Sequence, residues 1–262
     1  MKLTKKETFI LTSLIILLIA INYSWLDSLV IDSFSDDEFV KVDRIIDGDT
    51  LVLNNGNHVR MLGINTPEKK EKYYQEAKDS LNEKILNKTV RLEYGKDKKD
   101  KYNRTLAYVF LNNENINLKQ VENGLANYYF PSGKDIYYNE FKTSWENCIK
   151  SNKNLCEKSE NICSKCIELK EFNYNSQEVV FYNSCNYDCN LNSWKIKDEG
   201  RKNFIFPNFV LEKEKEIKIK VGEGINNEEV LFWKGEEYVW TKTGDTLFLR
   251  DSEGKLVLWR AY

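Results

Sequence analysis

The chain has 262 residues, 41% of them hydrophobic and 13% aromatic, enough to fill one large core or two ordinary ones. Its 39 basic and 41 acidic residues leave a formal charge of −2, so any nucleic acid must be held by a local patch and not by a bulk excess of positive charge. A single histidine, His58, excludes histidine-rich zinc centres and argues against serine–histidine chemistry.

At the N-terminus, Lys2, Lys5 and Lys6 precede an almost wholly apolar run from Phe9 to Ile21. With Tyr23, Trp25 and Leu26 the span reaches about 18 residues, close to the roughly 20 that cross a bilayer. No small-x-small cleavage site follows, and the aromatic residues suit a membrane interface. Lysines before the span, with Asp27, Asp32, Asp36, Asp37 and Glu38 after it, place the N-terminus in the cytoplasm. Residues 1–27 are therefore expected to form a transmembrane helix acting as an uncleaved signal anchor, and 28–40 a tether. The rest would lie outside the membrane, or be secreted if the segment is cleaved. A buried helix is the competing reading.

Val42 to Ile46 then predicts a strand, Asp47-Gly48-Asp49-Thr50 a tight turn, and Leu51-Val52-Leu53 a second strand. Asn54-Asn55-Gly56-Asn57 is a hairpin turn, since Asn and Gly accept positive φ at little cost. His58 to Ile64 returns as a third strand with His58 facing solvent, and Asn65-Thr66-Pro67-Glu68 closes it, because Pro67 cannot donate to a ladder. Such a meander brings the Asp49 turn and the Asn65–Glu68 turn to the same end. Asp49, Asn65, the Thr66 carbonyl and Glu68 can then converge, with Arg60 close by. Hard oxygen donors on turns suit Ca²⁺ or Mg²⁺ and not zinc. Taken alone, DGDT is an ordinary turn.

Glu71 to Leu86 carries Tyr74, Ala77, Leu81 and Ile85 at helical spacing. Thr89 to Tyr94 reads as a strand and 95–100 as a lysine-rich loop, either merely solvated or steering phosphate. Leu106 to Leu111 is a further strand, and Leu118 and Val121 mark a short helix stopped at Gly124. After Tyr128, Tyr129 and Phe130, a third helix is striped by Tyr138, Phe141, Trp145 and Ile149. This order agrees with an OB fold.

DGDT, Arg60, N-T-P-E and then Asp100-Lys101-Tyr102-Asn103-Arg104, in that order, resemble the thermonuclease (staphylococcal nuclease-like) family from about Val42 to Leu155. The resemblance implies an OB-fold β-barrel with three helices over 41–157 and endonucleolytic cleavage of DNA and RNA using one Ca²⁺. It makes Asp49, Asn65 and the Thr66 carbonyl metal ligands, Arg60 and Arg104 the pair gripping phosphate, and Glu68 the residue that activates or orients the attacking water. Lys101 and Tyr102 fall where the family contacts nucleotide phosphates, and Phe130 where an aromatic side chain meets a base, with core packing as the alternative. One position departs: many members carry Asp where this chain has Asn65, so a unit of negative charge is missing beside the cation. A nuclease-like barrel that only binds nucleic acid or a surface partner is the alternative function. Retention of Arg60, Glu68 and Arg104 together favours catalysis.

A boundary falls near residues 156–165, beyond which short alternating strands are expected at 178–182, 193–198, 203–206, 216–221, 230–233, 238–241, 245–250 and 255–259. That pattern argues an all-β sandwich. The segments beginning SWKIKDEGRKNFIFP and LFWKGEEYVW resemble the lamin-tail domain family over about 166–262, which implies an immunoglobulin-like β-sandwich that binds or attaches to an unidentified partner. No catalytic element is therefore expected beyond Leu155. Gly244-Asp245-Thr246 repeats GDT without an N-T-P-E and reads as a turn. All six cysteines lie after residue 147. Cys163, Cys166, Cys185 and Cys189 could form a four-thiolate zinc site, but an even count outside a membrane favours disulfides.

Overall fold

The computed structural model describes residues 38–262, together with Lys6, Thr12 and Ser13. But for those three residues and 38–40, the expected anchor and tether lie outside the described residues. Among the described residues, no helix is long and apolar enough to cross a membrane.

The first half is a closed barrel. Strands β1 (Glu38–Ile45), β2 (Thr50–Leu53) and β3 (His58–Met61) form the expected antiparallel meander. A short β4 (Ile64–Asn65) and helix α1 (Tyr74–Ile85) follow, then β5 (Thr89–Lys99) and β6 (Thr105–Leu111). β1 also pairs with β5, β5 with β6, and β6 returns in parallel to β3, closing five strands. β7 (Glu114–Asn115), α2 (Ile116–Glu122), β8 (Asn127–Tyr128) and α3 (Tyr138–Ser151) complete this half. Five closed strands and three helices in this order are the OB-type architecture.

Three local expectations change. The third strand does not run unbroken to Ile64: the chain turns at Leu62-Gly63, and β4 pairs with β8. Gly63 has φ +72, and a Cβ there would stand 3.1–3.2 Å from ring atoms of Phe141, Phe130 and Tyr108, so both backbone and space require glycine. α1 begins at Tyr74 and not Glu71, because Tyr73 is left-handed (φ 69). The lysine segment is no free loop: β5 runs on to Lys99, which pairs with Thr105 beyond a bulge.

The second half is all-β. Its strands are β9 (Ile167–Asn173), β10 (Glu178–Asn183), β11 (Cys189–Asn190), β12 (Lys195–Lys197) and β13 (Asn203–Ile205). They continue with β14 (Val210–Leu211), β15 (Glu216–Val221), β16 (Val230–Trp233), β17 (Thr246–Arg250) and β18 (Leu256–Ala261). One sheet runs β16-β15-β10-β9, the other β13-β12-β17-β18, with β11-β14 a small pair. Val179, Phe181, Ile217 and Ile219 of the first sheet share a core with Ile196, Leu247 and Leu249 of the second. The strand expected at 238–241 does not form. Gln177 Oε1 accepts from both Val239 N (2.6 Å) and Trp240 N (3.1 Å), so a side chain takes the place of a partner strand. β9 was not expected from alternation; opposite Val180 and Phe181 its register shifts, with Lys170 the extra residue between Leu169 and Glu171. The cysteines pair as Cys148–Cys156, Cys163–Cys189 and Cys166–Cys185, and none among the described residues is free.

The two halves share buried surface. Every residue of β17 is buried. Leu247 and Leu249 point into the sandwich, while Phe248, fully buried, packs edge-on to Trp145 of α3 at 5.3 Å within the barrel core. The connecting segment is hydrogen-bonded to β18 through Leu256 N to Glu157 O (2.7 Å) and Ser159 N to Leu256 O (2.8 Å). Phe248→Ala should therefore destabilise both halves together, by about 3–5 kcal/mol. Calorimetry should show one transition moving as a unit; two separate transitions would show that the halves fold independently.

The seam also carries buried acids. Burial, reinforced by Asp245, pushes the Asp198 and Glu199 carboxyls up to about 7. Both bind protons more tightly folded than unfolded, so their contribution to stability is complete below about pH 4 and is lost as pH rises through about 7. The melting temperature should fall by several degrees from pH 5 to pH 8. Asp198→Asn, whose amide oxygen can still accept from Lys202 N (2.9 Å), should flatten that slope.

Candidate active site

The DGDT turn is held from three sides. Ile46 N and Asp47 N donate to Thr50 O at 2.9 and 3.3 Å, and Asp49 N donates to Asp47 Oδ1 at 3.1 Å. Gly48 has no room for a side chain: a Cβ would stand 2.7 Å from Ala77 Cβ of α1 and 2.8 Å from Thr66 Cγ2. Its carbonyl accepts from Gln120 Nε2 of α2 at 3.0 Å, which pins the turn to both helices.

That turn presents Asp49 to the strand opposite. Asp49 Oδ2 accepts from Thr66 N and Thr66 Oγ1, both at 3.0 Å, and Oδ1 from Thr50 Oγ1 at 3.0 Å. Arg60, only 7% exposed, donates through Nη1 to Met61 O (2.7 Å) and through Nη2 to Ile64 O (2.9 Å). The same Nη2 stands 3.2 Å from Asp49 Oδ2 and 3.5 Å from Asn65 Oδ1. Asp49, Arg60, Asn65 and Thr66 are thus buried together, and the turn at Gly63 supplies the carbonyls that fix the guanidinium. Burial, then the neighbouring Asp49 charge, raises the Asp47 carboxyl above its ordinary range.

Arg104 comes from a second turn. Asp100 Oδ1 accepts from Tyr102 N and Arg104 N at 2.9 Å, and its Oδ2 meets Arg104 Nε at 2.7 Å. Burial opposes ionisation of Asp100, but these bonds and the Arg104 charge hold its carboxyl below the usual range. Arg60 and Arg104 line one cavity of about 440 Å³ together with Lys96, Lys99 and Tyr129. Lys101 and Tyr102 sit outside it: Tyr102 is 67% exposed, 5.1 Å from the Lys101 ammonium and 5.6 Å from the Arg104 guanidinium. Phe130 also lines the cavity, while its ring packs edge-on against Tyr138 (5.3 Å) and Phe141 (5.6 Å).

Glu68 stands apart from that cavity. Its backbone N donates to Glu71 Oε2 at 2.8 Å, and its carboxylate forms an ion pair with Arg201 Nε at 2.7 Å. Arg201 belongs to the second half of the chain, as do Gly200, whose carbonyl accepts from Asn65 Nδ2 at 2.8 Å, and Lys197, 3.1 Å from Glu71 Oε2. The sequence leads to the expectation of no catalytic element beyond Leu155; the fold brings residues from beyond it into contact with Asn65, Glu68 and Glu71. The Lys-Asp-Glu-Gly-Arg run at 197–201 reads as a charged turn between strands, and Asn65 and Gly200 are 135 residues apart, so no local pattern announces the contact. Asp100 and Tyr129 lay within motifs already singled out, and their hydrogen bonds and cavity positions emerge only in three dimensions.

Both halves of the chain match known families. Residues 58–158 match the family model of staphylococcal nuclease homologues, and residues 164–262 that of the lamin tail domain. The chain is 37% identical to the thermonuclease of Staphylococcus hyicus over 134 residues, 47% of this chain and 78% of that protein. It is 39% identical to the thermonuclease of Staphylococcus intermedius over 105 residues, 37% of this chain and 62% of the relative. An endonuclease of Haemophilus influenzae is 40% identical over 102 residues, 37% of this chain and 56% of the relative. With its closed barrel, its buried Asp49–Arg60 pair and this likeness, the chain belongs to the staphylococcal nuclease homologue family and is a nuclease, a hydrolase to which a lamin tail domain is joined.

Proposed function

We propose that this chain is a Ca²⁺-dependent endonuclease that hydrolyses phosphodiester bonds in DNA and RNA, tethered by its N-terminal segment with the catalytic domain outside the cytoplasm. The observation that carries the catalytic reading is the fixed guanidinium of Arg60, a residue that lines one cavity together with Arg104. Hydrolysis of a phosphodiester builds negative charge on its non-bridging oxygens, and two preorganised guanidinia offset that charge without reorganising. Glu68, on an exposed turn beside the buried cluster, would accept the proton of the attacking water. Lys101 and Tyr102, outside the cavity next to Arg104, suit contact with further phosphates of the strand. Phe130 and Tyr129 offer ring surface to a base.

The donor set fits a hard cation. Asp49 Oδ1 takes a hydrogen bond from Thr50 and keeps lone-pair capacity, and the Asn65 amide oxygen and Thr66 carbonyl lie on the adjoining segment. Bound there, Ca²⁺ would supply Lewis-acid stabilisation of the phosphate. With Asn65 in place of a carboxylate the site has low charge, which suits the weak affinity of extracellular calcium modules. The apolar span at 9–26 supports the tether, and the disulfides agree with an oxidising compartment. The lamin tail domain supports attachment to a partner outside the membrane. A barrel that binds nucleic acid without cutting it is the second reading; Asn65 favours it, and the retained Arg60, Glu68 and Arg104 oppose it.

The full chain in detergent should degrade DNA and RNA with Ca²⁺ and stop in excess chelator, and the Ca²⁺ dependence should saturate in about the millimolar range. Full activity in chelator would exclude the cation, and saturation at low micromolar Ca²⁺ would remove Asn65 from the ligand set. Arg60→Lys and Arg104→Lys keep the charge and lose the planar fork. Turnover should fall by about two orders of magnitude in each, with far smaller changes in substrate affinity. Near-parental turnover in both would refute their role.

A further inference from the structure

Residues 197–201 of the lamin tail domain contact the nuclease domain at four points. Lys197 pairs with Glu71, Glu199 Oε2 accepts from Phe130 N at 3.3 Å, Gly200 O accepts from Asn65 Nδ2, and Arg201 pairs with Glu68. The segment is itself braced. Glu199 N donates to Asp245 Oδ1 (3.3 Å), and Glu199 Oε1 accepts from Thr246 Oγ1 (2.6 Å), which also contacts Tyr128 OH (2.8 Å). Lys202 N closes the turn onto Asp198 Oδ1. Gly200 packs against the Tyr129 ring, which a Cβ would approach to 3.5 Å.

Two consequences follow for the site. Asn65 lies between Arg60, which only donates, and the Gly200 carbonyl, which only accepts. The amide satisfies both, with its oxygen toward Arg60 and its N–H toward Gly200. An aspartate would set a carboxylate oxygen against the carbonyl, so the amide at this position answers the docked domain. Glu68 has three rotatable bonds and a side chain 48% exposed, and its ionic partner is Arg201, itself 62% exposed. With Oε1 held by Arg201, Oε2 is left to meet the water.

We propose that the nuclease site is built by both domains: Arg201 is a positioning residue that orients the Glu68 carboxylate, and the Gly200 carbonyl is the reason that position 65 is asparagine. The first part rests on the reading of Glu68 as the water-activating group given above. Arg201 thus acts on the chemical step and not on substrate affinity.

The test uses the full chain with Ca²⁺ and a single-stranded DNA substrate. Arg201→Gln should lower kcat by about ten- to a hundredfold, part of what a positioned general base supplies. KM and melting temperature should stay unchanged, since an exposed pair adds little to stability. Arg201→Lys should recover part of kcat, and Arg201→Gln should cost nothing further in a Glu68→Gln background. A Glu68→Gln enzyme with parental kcat would sink the reading of Glu68 and this inference with it. An inactive Glu68→Gln enzyme beside an undiminished Arg201→Gln enzyme would sink the inference alone. So would a raised KM at constant kcat, which would make Arg201 a substrate contact, or a raised kcat, which would make the pair a restraint. For the second part, Asn65→Asp should lower the melting temperature where Arg201→Gln does not; an unchanged value would overturn the role given to Gly200.

Discussion

The buried Arg60–Asp49 pair is the constraint around which the nuclease half is arranged. Two charges taken out of water are tolerable only when their remaining hydrogen-bonding capacity is met inside the protein. Here Thr50 and Thr66 serve Asp49, and the Met61 and Ile64 carbonyls serve Arg60. Each of those partners imposes a local shape. Ile64 O reaches the guanidinium because the chain turns at Gly63, and Thr66 reaches Asp49 because Gly48 leaves it space. The helices enter through Gln120, which ties the Gly48 carbonyl to Ala77. Glycines, threonines and a glutamine are in this way part of the reason that the Arg60 guanidinium is held in a single orientation.

A second constraint is that β17 has no solvent face. Its odd and even residues serve different cores, Leu247 and Leu249 in the sandwich and Phe248 in the barrel. A strand buried on both faces cannot leave one domain without exposing apolar surface to water, so the lamin tail domain is not a passenger on a flexible tether. The Cys148–Cys156 bridge fixes the end of α3, and within the loop it closes Leu155 O accepts from the buried Arg250 at 2.7 Å. Burial lowers the Arg250 guanidinium from its ordinary value to about 10. Rigid docking is what allows a turn of the second domain to reach Asn65 and Glu68 at hydrogen-bonding distance.

Much of this was legible in one dimension because it depends on short-range rules. Strand alternation located β15 and β16, flanking turns located β2, the helical stripes located α1 and α3, and turn chemistry placed Asp49 and Asn65 at one end of a meander. The residues brought together at the Asp49–Arg60 pair lie within a few strands of one another, so local geometry was enough to gather them. The missed elements each have a cause. A side chain replaced a strand partner at 238–241, a left-handed Tyr73 delayed α1, and a register shift interrupts β9.

What the sequence determined by itself was the kind of each piece: an OB-type barrel carrying DGDT, Arg60 and N-T-P-E, then an all-β domain rich in cysteine. Alternation, helical period and turn residues act over a few positions, and those are written in the order of the chain. Tertiary structure alone decided which surfaces met. The solvent-like charge run at 197–201 came to lie against Asn65, Glu68 and Glu71, and Phe248 became a residue of a core whose other members, Leu256 apart, precede it by 92 positions or more. Asparagine at 65 looked in the sequence like a lost charge; in the fold it is the hydrogen-bond donor that the Gly200 carbonyl requires. Contacts of that span are set by how the two domains pack on each other, and neither domain's local pattern encodes the other's surface.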